Sequence, residues 1–301
     1  KGYEVIERFL NDVNTFLKPN GIILIVFSSL TKKEKVDEFI RNDLLEFELL
    51  EKQHYFFEDL YVYKIIKSEI LKTLEKNGIN NVRHFAKGKR GVVFVGKYNN
   101  KKVAIKIKNP ESSAVLRINN EIKILKILNK KGIGPKLSSY GKDYLIYEFV
   151  EGINISDFLE STIKNNPIKT TSINGKNIEN NNKINGKNKK MIIINIIKKI
   201  MNQMFIMDKL KINKEEMSHP QKHIIIDEKN NPILIDFERA HYTIKPGNVT
   251  QFADFLIGNN ILQALKNKKI IIDKNKIIQL SKKYKKQQNK RNFNSILKQI
   301  L

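Results

Sequence analysis

The stretch NPILIDFERAH, from Asn231 to His241, decides how the fold is interpreted. Its apolar run is typical of a buried strand, and the run leads the carboxylate of Asp236 into the following loop. A carboxylate at the end of a strand is a suitable ligand for Mg²⁺, which prefers hard oxygen donors. There are two interpretations: the metal-binding end of a strand in an enzyme that handles phosphates, or an Asp-Phe pair in a buried hairpin.

The composition of the chain restricts its class. At 301 residues the chain is long enough for two ordinary domains, each with its own core. The absence of cysteine excludes thiol catalysis, cysteine-ligated zinc and disulfide bonds, and we expect a cytoplasmic protein. We expect no membrane span, since no apolar run reaches about eighteen residues. Because the chain starts at Lys1 and shows no signal-peptide pattern, we expect it to begin inside a longer gene product.

The formal net charge of +25, from 56 basic and 31 acidic side chains, favours polyanionic partners such as RNA, a ribosomal surface or nucleotide phosphates. A bias toward Lys, Ile and Asn along the whole chain is the alternative explanation, and it would leave most lysines as solvated surface. The densest basic run, residues 282–291, is interpreted as an exposed helix face. No aromatic-interleaved basic motif accompanies the charge, so contact with RNA is a secondary hypothesis.

The first 66 residues predict an α/β unit. Apolar periodicity predicts a helix over about 5–16, a buried strand over 22–29, a second helix from about 31 to 40, and two strands within 47–67. This order, with LKPNGIILIVFSSLT and FFEDLYVYKI, resembles the C-terminal tail of a HemK-related, Rossmann-like S-adenosylmethionine methyltransferase. The cofactor-binding turn and the substrate motif of that family are missing from the segment. It is therefore not expected to methylate by itself.

A different unit is predicted from about residue 67, and it begins with a helix over 68–79. The next stretch, AKGKRGVVFVGKYNNKKVAIKIK, alternates into strands around Gly88 and Gly91, with Val93 in the second strand and Lys106 in a third. Glycines let backbone amides approach a phosphate, and a strand lysine nearby supplies positive charge. Each feature alone has an ordinary explanation, because such a glycine pair is usually a turn and such a lysine is usually solvated.

A predicted helix with one apolar face comes next and ends at Gly132. Glu121 lies on this helix, fifteen residues after Lys106, where its carboxylate can hold the lysine ammonium in place for the α- and β-phosphates. The strand and linker YLIYEFVEG place Glu148 and Val150 where an adenine would find backbone donors and acceptors. An Asn-rich insert over 161–190 interrupts the unit, and no function is predicted for it.

Taken in order, VAIK, Glu121, YEFVEG and ILIDFE make residues 82 to about 258 resemble a protein-kinase-like fold, of the small atypical archaeal kind related to RIO-type kinases. The stretches KEEMSHPQKHIII, ILIDFERA and KPGNVTQF are similar to an archaeal group of predicted serine/threonine kinases. The resemblance implies an α+β fold with two lobes, an N-lobe with a leading helix over 67–150 and a C-lobe over 151–301. The methyltransferase-like fragment over 1–66 is the third predicted domain.

The same resemblance implies roles for individual residues. Asp236 is the metal-ligating aspartate of a modified Asp-Phe-Gly element in which Glu238 replaces the glycine. ATP and Mg²⁺ or Mn²⁺ are the implied cofactors, and Lys106 and Asp236 are implied in catalysis. Glu238 either adds a second carboxylate or forms an ion pair with Arg239, and the ion pair is the preferred interpretation.

The catalytic loop departs from the family pattern, in which His-Arg-Asp and a later Asn precede an apolar strand. Counting back from Ile224 puts His223 at the Asn position and Ser218 at the Asp position, and serine is a poor base. An alignment with two extra loop residues makes Glu216 the carboxylate that orients or deprotonates the acceptor hydroxyl, with Glu215 as a substitute. His223 is a second candidate metal ligand, or a hydrogen-bond donor to phosphate.

The predicted function is an ATP-dependent phosphotransferase, an atypical serine/threonine kinase that acts on a hydroxyl of a protein or a small molecule. The segment after Asp236 is short and lacks the Ala-Pro-Glu element that docks peptides in ordinary kinases, so the acceptor is left open. The alternatives are an ATP-binding pseudokinase scaffold, an ATPase that uses water, and part of a methyltransferase.

Overall fold

The structure is a computed structural model that describes residues 2–109, 117–161 and 186–300. The chain divides into two compact units, the first formed by Lys1–Leu116 with Asp143–Phe149 and the second by Arg117–Lys142 with Val150–Leu301. The predicted boundary between residues 66 and 67 therefore falls inside the first unit. Helices and antiparallel strand pairs make up both units, which confirms the α+β class. The kinase-like and methyltransferase-like assignments stay predictions.

The first unit alternates short helices with strands. Its elements up to residue 108 are α1 (Glu4–Val13), β1 (Ile23–Ser28), α2 (Lys33–Asn42), β2 (Leu45–Tyr55), β3 (Glu58–Lys67), α3 (Glu69–Lys76), β4 (Ile79–Lys87), β5 (Gly91–Tyr98) and β6 (Lys101–Lys108). The strand numbered β8 (Tyr144–Glu148) belongs to the same unit. One sheet has the order β1-β3-β2, and β4-β5-β6-β8 are consecutive neighbours in another. Because β3 is antiparallel to both neighbours, β1 and β2 run parallel to each other.

Alternation along the strands explains how the first sheet buries one face. From Leu60 to Lys67 of β3 the odd-numbered residues are buried and the even-numbered residues are partly exposed, as the two-residue period of a strand requires. Tyr63 is fully buried and lies between two aromatic rings, with its centroid 4.9 Å from Phe27 and 4.5 Å from Phe47. Its hydroxyl donates to Asp37 of α2 at 2.8 Å, so the buried polar group is satisfied.

A single hydrophobic cluster runs through the whole first unit. It joins side chains of the segment that precedes residue 67, such as Leu10 and Ile65, to Ile79, Phe94 and Ile105 of the later strands. All five side chains are at most 2% exposed. Because burial of apolar surface is favourable, a core shared in this way stabilises the segments before and after residue 67 together.

The second unit is mainly helical. Its elements are α4 (Ile118–Asn129), β7 (Leu137–Tyr140), β9 (Ile153–Asn154), α5 (Ile155–Ser161), α6 (Gly186–Lys209), β10 (Ile212–Asn213), β11 (Ile224–Ile226), β12 (Pro232–Leu234), β13 (His241–Tyr242), α7 (Asn248–Leu256), α8 (Asn259–Lys266), α9 (Lys274–Lys286) and α10 (Lys290–Ile300). A small antiparallel sheet has the order β12-β11-β9, and β10 pairs with β13.

A buried polar network fixes the start of α7. The carboxylate of Asp208, which is 1% exposed, accepts hydrogen bonds from the amides of Asn248 at 3.0 Å and Val249 at 3.3 Å, and from the Tyr284 hydroxyl at 2.9 Å. Burial raises the pKa of Asp208, and these hydrogen bonds oppose part of that rise. The Asn248 side chain in turn accepts from the amide of Lys214 at 2.8 Å. The loop after β10 is thereby connected to the helical core.

Two sequence predictions concern regions between these elements. Residues 162–185 of the predicted Asn-rich insert lie outside the described residues, and α6 begins at Gly186, inside the predicted insert. Within the described ranges, no helix combines the length and the apolar character needed to cross a membrane.

Candidate functional site

The decisive stretch forms strand β12 and the loop that follows it. Asp236 comes two residues after the strand ends and has a left-handed backbone, with φ of 62°. An aspartate tolerates this region better than most residues, but a surrounding structure usually holds it there. The Nζ of Lys214 donates a hydrogen bond to the carbonyl of Asp236 and lies 5.0 Å from the ring centroid of Phe237. Lys214 is 1% exposed and Phe237 is fully buried.

Three carboxylates meet at this loop. Glu121, Asp236 and Glu238 each offer one carboxylate oxygen, and these oxygens all lie within 4.8 Å of one another. Glu121 is 1% exposed and Glu238 is 7% exposed. Like charges this close repel, and a divalent cation among them would offset that repulsion. The loop can therefore present a compact set of hard oxygen donors.

Helix α4 holds the loop by two consecutive side chains. The Asn120 amide donates to the carbonyls of Glu238 at 2.9 Å and Ala240 at 2.7 Å. The Glu121 carboxylate accepts from the amide of Phe237 at 3.0 Å. These bonds join residues that are 116 to 120 positions apart in the sequence, so they fix the loop against a distant helix.

The candidate base lies in a second cluster of charged side chains. One oxygen of Glu216 accepts from Arg239 at 3.0 Å and the other lies 3.3 Å from Nε2 of His223. Arg239 also reaches Glu215 at 2.5 Å, and Nδ1 of His241 lies 3.6 Å from the same carboxylate. The preferred interpretation, an ion pair between Glu238 and Arg239, was therefore wrong. Arg239 pairs with Glu215 and Glu216, and Glu238 joins the carboxylate cluster. The reason is that β10 and β13 pair and bring their flanking segments together.

Three further residues of the predicted catalytic loop are Glu216, Ser218 and His223. Glu216 has a left-handed backbone with φ of 73°, which is uncommon for a glutamate and shows that the turn is held by its surroundings. Ser218, the residue at the alternative base position, has its hydroxyl 3.1 Å from Nδ1 of His219. The candidate metal-binding group consists of the three carboxylates and does not contain His223. The role of His223 as a metal ligand stays a prediction.

The predicted phosphate-binding residues of the first unit lie on the β4–β5 hairpin and on β6, the strand next to β5. The amide of Gly88 donates to the carbonyl of Gly91 at 2.8 Å, which closes a tight turn between β4 and β5. Val93 is paired with Lys106 in the β5–β6 register, and Lys106 is 7% exposed. The predicted strand lysine is therefore buried rather than solvated.

The remaining predicted residues are distributed between the units. Glu148 ends β8, faces Val103 in the register with β6, and lies 3.8 Å from Nζ of Lys101. Val150 and Glu121 belong to the second unit, whereas Lys106 belongs to the first. The predicted Lys106–Glu121 pair and the adenine contacts stay predictions.

Three residues at the site were missed by the sequence analysis: Asn120, Lys214 and Gly134. Lys214 is one of 56 basic residues, so no compositional signal separates it from solvated lysines. Gly134 has φ of 80°, and a Cβ there would lie 2.9 Å from Leu125 Cδ2 and 3.0 Å from Phe237 Cε2. The only sequence signal for Gly134 is its place in GIGP, which is also typical of an ordinary turn.

Gly134→Ala is expected to destabilise the second unit by about 1–3 kcal/mol, because it combines an unfavourable positive φ with a contact that moves Phe237. Gly132→Ala is the matched control, since Gly132 has φ of 68° but no heavy atom within 4 Å of the added Cβ. Urea denaturation of both variants measures the difference. Equal losses of unfolding free energy would show that the contact with Phe237 contributes nothing.

No protein-family model matches the chain, and no curated protein matches it.

Proposed function

We propose that the chain is a metal-dependent phosphotransferase that uses ATP and transfers the γ-phosphoryl group to a hydroxyl. The observation that carries this proposal is the cluster of Glu121, Asp236 and Glu238 at the end of a buried strand. Phosphoryl transfer depends mainly on charge neutralisation and positioning, and a carboxylate-bound divalent cation supplies both.

The donor set fits Mg²⁺ or Mn²⁺. Oxygens around one Mg²⁺ at about 2.1 Å lie no more than about 4.2 Å apart, so oxygens within 4.8 Å need only small rotations to bind it. The set holds carboxylates and no sulfur, which also favours a hard cation. When bound, the cation would neutralise phosphate charge. Asp236 and Glu238 would hold it, and Glu121 would both complete the set and keep Phe237 in place.

The first unit supplies features suited to the phosphates of a nucleotide. The turn from Gly88 to Gly91 is closed by a backbone hydrogen bond, and its sequence adds Lys89 and Arg90 between the glycines. Lys106 is the strand lysine that the proposal assigns to charge neutralisation of the phosphates. These features support ATP as the donor.

Glu216 is the proposed acceptor of the hydroxyl proton. In the proposed step the hydroxyl oxygen bonds to the γ-phosphorus, the bond to the ADP oxygen breaks, and the hydroxyl proton passes to Glu216. Arg239 and His223 hold the two oxygens of Glu216 in one orientation. The acceptor is proposed as a serine or threonine hydroxyl of a protein or the hydroxyl of a small molecule.

The same contacts favour a second candidate function, an ATP-binding scaffold. Both oxygens of Glu216 have partners, and a serine occupies the position where the family pattern has aspartate. An acceptor hydroxyl would have to compete with Arg239 and His223 for the Glu216 oxygens. A scaffold would bind ATP and metal without turnover.

The test combines metal binding with ATP turnover. We expect the wild-type chain to bind Mn²⁺, followed by the loss of the free-ion electron paramagnetic resonance signal, and to release ADP only when Mg²⁺ or Mn²⁺ is present. Glu238→Gln is expected to weaken Mn²⁺ binding about tenfold or more, since it removes a charged ligand. Glu228→Gln, at an exposed glutamate in the β11–β12 turn, is the matched control and is expected to bind like the wild type.

The possible results separate the proposals. Metal binding without ADP release would favour the second candidate function, the ATP-binding scaffold, over the phosphotransferase. Turnover that is the same in EDTA, or Mn²⁺ binding that Glu238→Gln leaves unchanged, contradicts the metal-dependent phosphotransferase.

A further inference from the structure

The last two helices form a strongly basic helical hairpin. From Lys274 to Ile300 the sequence contains nine Lys or Arg residues and no Asp or Glu. All nine side chains are exposed: Lys274, Lys276, Lys282, Lys283, Lys285, Lys286, Lys290, Arg291 and Lys298. Within the part of the chain that the structure describes, none of the nine lies within 4 Å of a carboxylate oxygen, and Lys285 is the one whose charge acts on a nearby carboxyl, that of Asp254.

This charge exceeds what the general lysine bias of the chain explains. The 27 residues of the segment are less than a tenth of the chain, yet they carry nine of its 25 net positive charges. Elsewhere in the chain, acidic side chains offset much of the lysine excess. The hairpin is therefore a concentrated basic surface, distinct from an evenly solvated one.

The hairpin is anchored so that its charges have fixed spacing. Tyr284 and Phe293 are at most 3% exposed, and the Phe293 ring stacks on Phe205 of α6 with a centroid distance of 4.4 Å. The outward face of α9 presents Lys282 and Lys286 one turn apart. On α10, Arg291 and Lys298 lie two turns apart, about 10 Å along the helix axis.

The chemistry of the hairpin selects among polyanions. No large apolar side chain between residues 274 and 300 is among the exposed ones, so the hairpin lacks the apolar face with which an amphipathic helix enters a lipid surface. Its aromatic rings, Tyr284 and Phe293, are buried, so they cannot stack on the bases of a single strand. What is left on the surface is a rigid array of cations, which suits the regularly spaced phosphates of a duplex.

We propose that the α9–α10 hairpin binds the phosphate backbone of a double-stranded nucleic acid, without dependence on base sequence. This function is additional to the proposed phosphotransferase and does not depend on it. Lysine and arginine contacts to phosphates release condensed counterions, so the binding is expected to weaken steeply as salt rises.

The test uses fluorescence anisotropy with a labelled duplex of about 20 base pairs, as RNA and as DNA, over a series of salt concentrations. The hairpin variant carries Lys282→Gln, Lys286→Gln, Arg291→Gln and Lys298→Gln. The control variant carries Lys130→Gln, Lys131→Gln, Lys136→Gln and Lys142→Gln, which removes the same charge from exposed lysines elsewhere in the second unit. The melting temperature of each variant reports whether it folds.

The hairpin variant is expected to lose at least tenfold in duplex affinity and to reduce the slope of log K against log salt by about 3 to 4, as four lost phosphate contacts require. The control variant is expected to change affinity by less than about threefold. If the fourfold variant does not fold, the pair Arg291→Gln and Lys298→Gln is expected to reduce the slope by about 2. ATP turnover, where the chain has it, is expected to be unchanged, because none of these residues belongs to the candidate active site.

Equal losses in the hairpin and control variants would overturn the proposal, since they would show a general charge effect. So would a single strand that binds more tightly than the duplex. Anionic phosphatidylserine vesicles are the comparison probe: vesicle binding that the hairpin variant abolishes, without duplex binding by the wild type, would identify a membrane surface as the partner instead.

Discussion

Asp236→Asn is expected to lower metal-dependent ATP turnover by a factor of about 10² to 10³ while the chain stays folded. The substitution keeps the shape of the side chain and removes the charge that would bind the cation. Ligand and electrostatic contacts of this kind contribute about 3–4 kcal/mol to transition-state stabilisation, which corresponds to that factor. The Lys214 bond to the Asp236 carbonyl involves the main chain, so the variant can retain the loop conformation.

The measurement is single-turnover ADP release at saturating Mg²⁺, with the melting temperature recorded for each protein. Asp143→Asn, at an exposed aspartate before β8, makes the same chemical change elsewhere and is expected to leave turnover unchanged. A variant Asp236→Asn that retains wild-type turnover would remove Asp236 from the metal site and leave the proposed function without its main support. Loss of turnover with a large fall in melting temperature would point to unfolding, and Glu238→Gln would then provide the decisive comparison.

Local pattern was sufficient for most of the secondary structure. The apolar run ILIVFS became β1, the alternation around Lys106 became β6, and the predicted helix that carries Glu121 became α4. Each depends on side-chain periodicity within about ten residues, and such periodicity is visible in a single sequence. The same reasoning placed Asp236 in the loop that follows a buried strand, and in the structure it comes two residues after β12 ends.

The geometry of the candidate site was less accessible from sequence. Glu238 was assigned to Arg239 because they are neighbours in sequence, but the two residues lie in a turn, where Glu238 joins the carboxylate cluster and Arg239 contacts Glu215 and Glu216. The contacts that matter join α4 to a loop more than 110 residues away, and nothing local specifies them. Burial of a charged group such as Lys214 or Lys106 likewise depends on the assembled core. In a lysine-rich sequence no local pattern distinguishes these buried lysines from the many exposed ones.

Asp43 gives the first unit a stability that depends on pH. This residue follows α2 and is 6% exposed. Burial raises the pKa of its carboxyl to about 7, and the positive charge of Arg83 offsets only part of the effect. The folded chain therefore keeps a proton on Asp43 at pH values where the unfolded chain, with an ordinary carboxyl pKa near 3.8, has lost it.

The sign of the effect follows from proton linkage. Between about pH 4 and pH 7 the folded state binds more protons than the unfolded state, so the free energy of unfolding falls as pH rises through this window. The full contribution is present below the unfolded pKa and is lost above the folded pKa. At about 1.4 kcal/mol per pH unit, the loss approaches an upper limit of roughly 4 kcal/mol.

Asp43→Asn is expected to abolish this part of the pH dependence, because asparagine stays neutral throughout. The variant should match the wild type near pH 4 and exceed its unfolding free energy by up to about 4 kcal/mol at pH 8. Urea denaturation at several pH values measures the difference between the two proteins, so the buried carboxyls of the second unit cancel. Asp12→Asn, at an exposed position on α1, is the control and should show no pH-dependent difference. A difference between Asp43→Asn and the wild type that is constant from pH 4 to pH 8 would contradict the assignment, because it would mean that Asp43 is ionised in the folded chain over the whole range.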